Sequence, residues 1–360
     1  MSAVPATPTP DLVRVRAEAL DAFCRAALRA AGADDPTTEA AARAMIHGSR
    51  LGVDSHGVRL LGHYVKALAG GRVNGRPQMR LAVGFGAVAT LDADDGHGAL
   101  AGYEAMRHAV ERAARFGIGA VSVRNSSHFG PAGAFAMAAA EAGCIGLAFC
   151  NSDSFVRLHG GAARFHGTNP IACAVPVPGA RPWLLDMATS AIPYNRIQLY
   201  KSLGLPLPAD TASDASGQDV AEPGLADMLA PLGGAFGFKG AGLAGLVEIL
   251  SAALSGARLS HELAPMAGPD FSTPRNLGAF VMALRPEAFV EADVFGDAMH
   301  RYLSALRGSA ARAGETVMAP GDREWAEADR RAEAGIPIDP ATQGEFRALA
   351  ARYGLEPLFE

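Results

Sequence analysis

Between residues 81 and 190 the chain carries a series of short apolar runs set off by glycines and prolines: LAVGFGAVATLDADDGHGA, IGAVSVRNSS, CIGLAFCNS, NPIACAVPVPG and PWLLDMATS. Runs of this kind read as strands. Two helical stretches stand among them, ALAGYEAMRHAVERAARFG and PAGAFAMAAAEAG. Strands and helices therefore alternate irregularly, and several consecutive strands have no helix between them. That order predicts an α+β (mixed α/β) chain built on a predominantly antiparallel sheet, and it argues against the regular βαβ array of a Rossmann fold.

The flanks are helical. Residues 11–51 read as two amphipathic helices, with Gly32 and Pro36 as punctuation. SHGVRLLGHYVKALAGGRVN predicts a further helix over about 57–68, stopped at Gly70-Gly71, with Ser55 and His56 at its start. Residues 204–232, rich in Pro, Asp, Ser and Gly, read as a long irregular connection. GGAFGFKGAGLAGLVEILSAALSG follows as a glycine-rich turn feeding an apolar helix, then a strand at LGAFVMALRP and helices to the end of the chain.

A formal net charge of -5 across 360 residues offers no broad positive field. Nucleic acid and anionic membranes are thereby excluded as expected partners, and an anionic ligand needs local donors. Cys24, Cys144, Cys150 and Cys173 show neither CxxC nor metal-type spacing, so no metal site is expected and the thiols read as small hydrophobes. MSAVPATPTPDLVRV lacks the pattern of a signal peptide, and the apolar runs fall short of the roughly 20 residues that span a bilayer. A cytoplasmic protein is expected.

Several segments carry side chains suited to chemistry. Gly240–Gly245, GAGLAG, matches GxGxxG, but the strand that a dinucleotide fingerprint requires before it is missing, and close packing of an apolar helix explains the glycines. Lys239 is a lone charge among those glycines, able either to reach a phosphate or to remain solvated. His56 in DSHG and His128 in SSHFG lie among small polar residues at element boundaries, where an imidazole can face a cleft and exchange a proton near neutrality. His97, His159 and His166 also lie near glycines, so spacing alone does not choose among them. Thr168, Asn169 and Asp186 fall at expected strand ends, which suits ligand contact and ordinary turns alike.

Taken together, Asp54-Ser55-His56-Gly57-Val58, Asn125-Ser126-Ser127-His128-Phe129-Gly130, Gly167-Thr168-Asn169-Pro170, Leu185-Asp186-Met187-Ala188-Thr189, Lys239-Gly240 and Pro320-Gly321-Asp322 resemble the type 2 malate/L-lactate dehydrogenase family in order and spacing. The resemblance implies a sheet domain over 79–325 that binds a nicotinamide cofactor, NAD or NADP. It also implies helical segments 1–78 and 326–360 packed together, and a homodimer. It makes His56, with Ser55, the proton donor or acceptor, and His128 the other candidate. Ser152, Thr168, Asn169, Asp186, Met187, Ala188, Lys239, Gly321 and Asp322 match positions that hold the cofactor. The implied reaction is hydride transfer between NAD(P)H and C2 of a small 2-oxo or 2-hydroxy carboxylic acid.

Two departures fall at the substrate end. The family pattern SHGVxR places an arginine where this chain has Leu60, and Arg59 stands one residue early; on a helix that is about 100° of rotation. Around residues 192–219 the family's glycine-lysine and tryptophan pattern becomes IPYNRI and a polar loop, where Arg196 keeps a basic group. Arg59 and Arg196 are thus the candidate substrate contacts. Reduction of cyclic or N-substituted 2-imino acids is the alternative chemistry, since it needs the same hydride and proton without the usual arginine. A nucleotide-binding relative that has lost catalysis is the alternative from another class, and the presence of both imidazoles with Lys239 speaks against it.

Overall fold

The computed structural model describes residues 12–359, and the N-terminal stretch read above for a signal peptide lies largely outside them. The chain opens with β1 (Val13–Val15), α1 (Ala17–Ala30), α2 (Asp35–Arg50) and α3 (Leu61–Ala69). Asp34 caps α2 by accepting from the Thr37 amide at 2.9 Å, with Pro36 preset for the first turn. The expected helix over 57–68 begins later. Asp54–His56 and Val58–Leu60 form two separate 3₁₀ turns, and α3 starts only at Leu61.

The central segment supplies β2 (Arg80–Phe85), β3 (Val88–Gly96), α4 (Gly98–Phe116), β4 (Ile118–Ser126), α5 (Ala132–Glu141), β5 (Ile145–Cys150), β6 (Val156–Arg157), β7 (Arg164–His166), β8 (Ile171–Val175) and β9 (Trp183–Met187). Next come α6 (Tyr194–Leu203), β10 (Ala212–Ser213), β11 (Met228–Leu229), α7 (Phe238–Glu248), β12 (Leu277–Leu284), α8 (Ala292–Arg307), α9 (Asp322–Ala334), β13 (Ile336–Ile338) and α10 (Pro340–Tyr353). The seven-stranded sheet runs β2-β3-β4-β12-β5-β8-β9. All its neighbouring pairs are antiparallel except β3 with β4. Placing β12 between β4 and β5 closes the sheet with a strand drawn from far along the chain.

Alanine-rich faces of α4 and α5 lie on this sheet, where Ala105, Ala109 and Phe135 meet Val121, Val123 and Val281 in a fully buried cluster. Small side chains let helix and sheet approach closely, which accounts for the alanine content of both helices. A second core joins the two ends of the chain. β1 pairs antiparallel with β13, Val13 opposite Ile338, while Phe23 of α1 stacks on Phe346 of α10 with ring centroids 5.1 Å apart. Leu20, Leu28, Met45, Leu61 and Ile336 fill the space between.

One other expectation changes. Tyr194–Leu203 form α6, and the connection after them contributes β10 and β11 to a small sheet ordered β10-β11-β6-β7. The GAGLAG segment lies inside α7, where a Cβ at Gly240 would overlap the Leu232 carbonyl oxygen, so that glycine serves helix packing. Among the described residues no helix is long and apolar enough to cross a membrane.

Candidate active site

A cavity of about 590 Å³ opens where the turn Asp54–His56 faces the start of α5 and the end of β9. Its position follows from how that turn is held. Gly57 leaves the helical region at φ -93°, ψ -149°, and a Cβ on it would overlap the Ser49 hydroxyl and come within 3.0 Å of the Ser49 nitrogen. The Ser49 hydroxyl instead accepts from the Val58 amide at 2.9 Å. From the far side Arg331 of α9 grips both carboxylate oxygens of Asp54 and donates to the Ser49 carbonyl at 2.6 Å. The turn carrying Ser55 and His56 is thereby fixed between α2 and α9.

His56 Nδ1 lies 2.9 Å from the Ser55 hydroxyl, and its ring stacks on His128 with centroids 5.8 Å apart and planes 18° from parallel. His128 follows β4, and its Nδ1 lies 2.9 Å from the hydroxyl of Tyr64 on α3. His63 stands edge-on to His128, and His97 edge-on to Tyr64. Burial lowers the His56 imidazole below its usual range. Burial, then the charges of His56, His63, Arg275 and His97, hold His128 well below that range. Both rings are therefore neutral at rest near pH 7.

Asp186, at the end of β9, is pushed up to about 6, mainly by burial, against the stabilising hydrogen bond from the Gly133 amide at 2.8 Å. A Cβ at Gly133 would lie 2.7 Å from the Asp186 carboxylate, so the first turn of α5 admits Asp186 only because residue 133 has no side chain. Pro131, Ala132, Leu184 and Met187 give the cavity an apolar wall.

Of the residues singled out from sequence, Ser55, His56, Arg59, Thr168, Asp186, Met187, Ala188 and Arg196 line this cavity. His128 stands behind His56, outside the lining. Ser152 and Asn169 lie behind the wall: the Ser152 hydroxyl accepts from the Thr168 amide at 3.1 Å, and the buried Asn169 amide donates to Glu248 at 2.9 Å and to the Ala244 carbonyl at 3.1 Å. Lys239 is exposed at the start of α7, its ammonium 5.3 Å above the Phe236 ring and away from the cavity. Gly321 takes φ +96° ahead of α9. Asp322 pairs with Arg307 at 2.7 Å on the rim of a second cavity of about 760 Å³.

Leu60 packs against the helical core, whereas Arg59 faces the cavity. Among the described residues neither Arg59 nor Arg196 has a hydrogen bond or a close ion pair, although Arg59 stands near enough to Asp339 to help hold that carboxyl below its usual range. His47, lowered to about 4 chiefly by burial, also faces the cavity. Sequence reasoning did not single out Arg331, Tyr64 or Gly133. Each acts through a tertiary contact that leaves no local pattern.

A sequence profile described as malate/L-lactate dehydrogenase matches residues 15–347. The chain is 34% identical over 354 residues to a malate dehydrogenase of Pyrococcus abyssi, covering 96% of each. It is 33% identical to a (2R)-3-sulfolactate dehydrogenase (NADP(+)) of Chromohalobacter salexigens, over 90% of this chain and 94% of that protein. An Escherichia coli O157:H7 ureidoglycolate dehydrogenase (NAD(+)) is 31% identical over 71% of this chain and 72% of its own. Among solved structures, the Δ1-piperideine-2-carboxylate reductase of Pseudomonas syringae pvar. tomato superimposes with a TM-score of 0.83 at 28% identity, covering 94% of this chain and all of that one.

Proposed function

Because the chain belongs to the malate/L-lactate dehydrogenase family and is an oxidoreductase acting on CH–OH groups with NAD or NADP, we propose that it interconverts a small 2-hydroxy acid and its 2-oxo acid in the cavity beside His56. The observation that carries this reading is the pairing of a half-buried, neutral imidazole with two guanidinium groups that make no hydrogen bond to the described residues, all around one cavity. A volume near 590 Å³ falls in the range of small-ligand pockets, about 300–1,000 Å³, and suits a nicotinamide ring with a small acid.

The residues present fit such a cofactor. Pro131, Ala132, Leu184 and Met187 offer a flat apolar wall, and Asp186 places one carboxyl group among them. Thr168, Asp186, Met187 and Ala188 would hold the nicotinamide end, with Ser152 and Asn169 fixing the Thr168 segment from behind. Lys239, Gly321 and Asp322 are left for the rest of the dinucleotide, which is longer than this cavity. When bound, the nicotinamide ring accepts or supplies the hydride at C2.

His56 moves the proton. Neutral at rest, it takes the proton of the C2 hydroxyl during oxidation, and once protonated it returns that proton to the developing oxyanion during reduction. Ser55 orients the ring through Nδ1 and leaves Nε2 for the exchange. Arg59 and Arg196 bind acidic groups of the substrate. Two separate cations favour a dianionic acid, malate-like or sulfolactate-like, over a monocarboxylate.

The second reading, reduction of a cyclic or N-substituted 2-imino acid, is favoured by Leu60 in place of the family arginine and by the likeness to the piperideine carboxylate reductase. Assaying a panel of 2-oxo mono- and dianions, each with and without methylamine, against NADH and NADPH separates the two. We expect turnover of dianions without amine, with Arg59→Gln and Arg196→Gln raising KM more than they lower kcat. Turnover that appears only with amine moves the assignment to the imine, and full activity in His56→Ala removes His56 from the chemistry. A cytoplasmic homodimer belongs to the same reading. The exposed Phe238 and Leu246 on α7, with Ile249 just after it, support pairing, which sedimentation of the purified chain tests.

A further inference from the structure

The proposed reaction uses His56 and leaves unexplained why a second imidazole is stacked on it. Tyr64 offers the answer. Its hydroxyl is deeply buried, and its one hydrogen-bond partner among the described residues is His128 Nδ1 at 2.9 Å. A phenol that keeps its proton and has one neighbour donates to that neighbour. His128 Nδ1 is then an acceptor, and the single proton of that neutral ring sits on Nε2.

The surroundings agree. The groups facing His128 are His56 on the turn before α3, His63 and Tyr64 on α3, His97 ahead of α4, and Arg275 ahead of β12. Cys150 on β5 and the His97 ring lie beside Tyr64. None of the groups around His128 is an acid. Asp153, which acts on the neighbouring His63, is already paired with Arg275 at 2.6 Å. His97 is fixed too: its Nδ1 accepts from the Ala99 amide at 3.1 Å, so its own proton is on Nε2 and it cannot relay one inward.

We propose that Tyr64 is a positioning residue that locks His128 as the neutral Nε2–H tautomer, so that a proton entering the stacked pair resides on His56. A hydrogen bond into the Nδ1 lone pair favours the neutral ring, because protonation of Nδ1 would abolish the acceptor. Stacked rings also cannot both carry charge cheaply, so holding His128 neutral leaves His56 free to become the imidazolium. The assignment rests on His56 as the proton carrier, but its structural half, the tautomer, is open to test without turnover.

The test is Tyr64→Phe, which removes one oxygen and keeps the ring against His97. Long-range proton–nitrogen NMR of the histidine rings in the purified protein reports which nitrogen is protonated. In the parent protein we expect the Nε2–H pattern for His128 across pH 5–8, and in Tyr64→Phe a mixture of tautomers with His128 beginning to titrate. The pH profile of kcat for alcohol oxidation should gain a second ionisation on its acid side, with roughly a tenfold lower kcat. A parent His128 carrying its proton on Nδ1, or a Tyr64→Phe protein with unchanged ring nitrogens and an unchanged profile, overturns the proposal. His56→Ala with full turnover but the expected tautomer at His128 would instead sink the functional reading and leave the lock standing.

Discussion

Arg331 is the residue whose removal most directly tests how the turn carrying Ser55 and His56 is held. It comes from α9, nearly 280 residues after the turn it grips, and is almost fully buried while Asp54 is half exposed. In Arg331→Met the stem still packs, but the Ser49 carbonyl loses a 2.6 Å donor, Asp54 loses its bidentate partner, and Glu327, which keeps Arg330, loses the Arg331 Nε donor. Removing one member of a buried pair costs about 3–5 kcal/mol when the other stays dry. Here water reaches Asp54, so the ion-pair share is discounted, and about 2–3 kcal/mol remains for the lost charged hydrogen bonds. Urea unfolding at pH 7 should show that loss as a lower midpoint at constant slope. Asp54→Asn alone should cost less, and the double variant little more than Arg331→Met, because both changes break one contact. Since His56 lies two residues from Asp54, kcat should fall at least tenfold. A midpoint shift below about 0.5 kcal/mol, or strictly additive single changes, would refute the idea that this pair fixes the turn.

Gly57→Ala forces a methyl against the Ser49 hydroxyl and should destabilise by about 1–3 kcal/mol while lowering kcat, both measured on the same preparation; a variant as active and stable as the parent would show that the turn yields. Asp186 is raised in the folded state to about 6 from an unfolded value near 3.9. Folding therefore takes up a proton between those values, and the acid's contribution to stability is full below about pH 4 and is lost as pH rises through 6. Asp186→Asn should then gain on the parent by on the order of 2 kcal/mol between pH 4 and pH 8, and a pH-independent difference would show the carboxyl to be ordinary. Leu60→Arg, which restores the family residue, should lower stability by about 2–4 kcal/mol because the side chain packs on the helical core; recovery of substrate affinity without that loss would mean that residue 60 can turn to the cavity.

How much of this was legible depended on whether the signal was local. The strand runs and the two alanine-rich helices were plain in the sequence, because periodicity and glycine punctuation are written residue by residue. The insertion of β12 between β4 and β5 was not, since pairing with a distant strand leaves no mark on the strand itself. The helix expected from Gly57 failed for a specific reason. Its apolar spacing is helical, but Gly57 leaves the helical region at ψ -149°, packed so close to Ser49 that a Cβ there would overlap its hydroxyl, and two 3₁₀ turns stand on either side of it. That shift also reverses the argument about Arg59 and Leu60. A regular helix carried through both residues was the premise for doubting that Arg59 could stand in for the family arginine at position 60, and with that helix broken Arg59 lines the cavity.

The position of the imidazoles links the two cores of the molecule. His56, His63 and Tyr64 come from the helical side, which also contains β1, β13 and α10, whereas His97 and His128 come from the ends of the sheet strands. Burial of the rings, the largest cause of their lowered proton affinity, is therefore a property of the contact between the cores and of neither alone. The C-terminal helices reach the site through this contact. Arg331 pins the turn, and Phe346 lies in the core cluster that holds α3, on which both His63 and Tyr64 stand. Loosening the terminal cluster should expose His56 further than the cavity already does, and its imidazole should then move back toward its ordinary proton affinity before the sheet itself is disturbed. An imidazole made neutral by burial is thus most sensitive to residues far from it in sequence, which is why the motif around His56 marks a candidate proton carrier without revealing what tunes it.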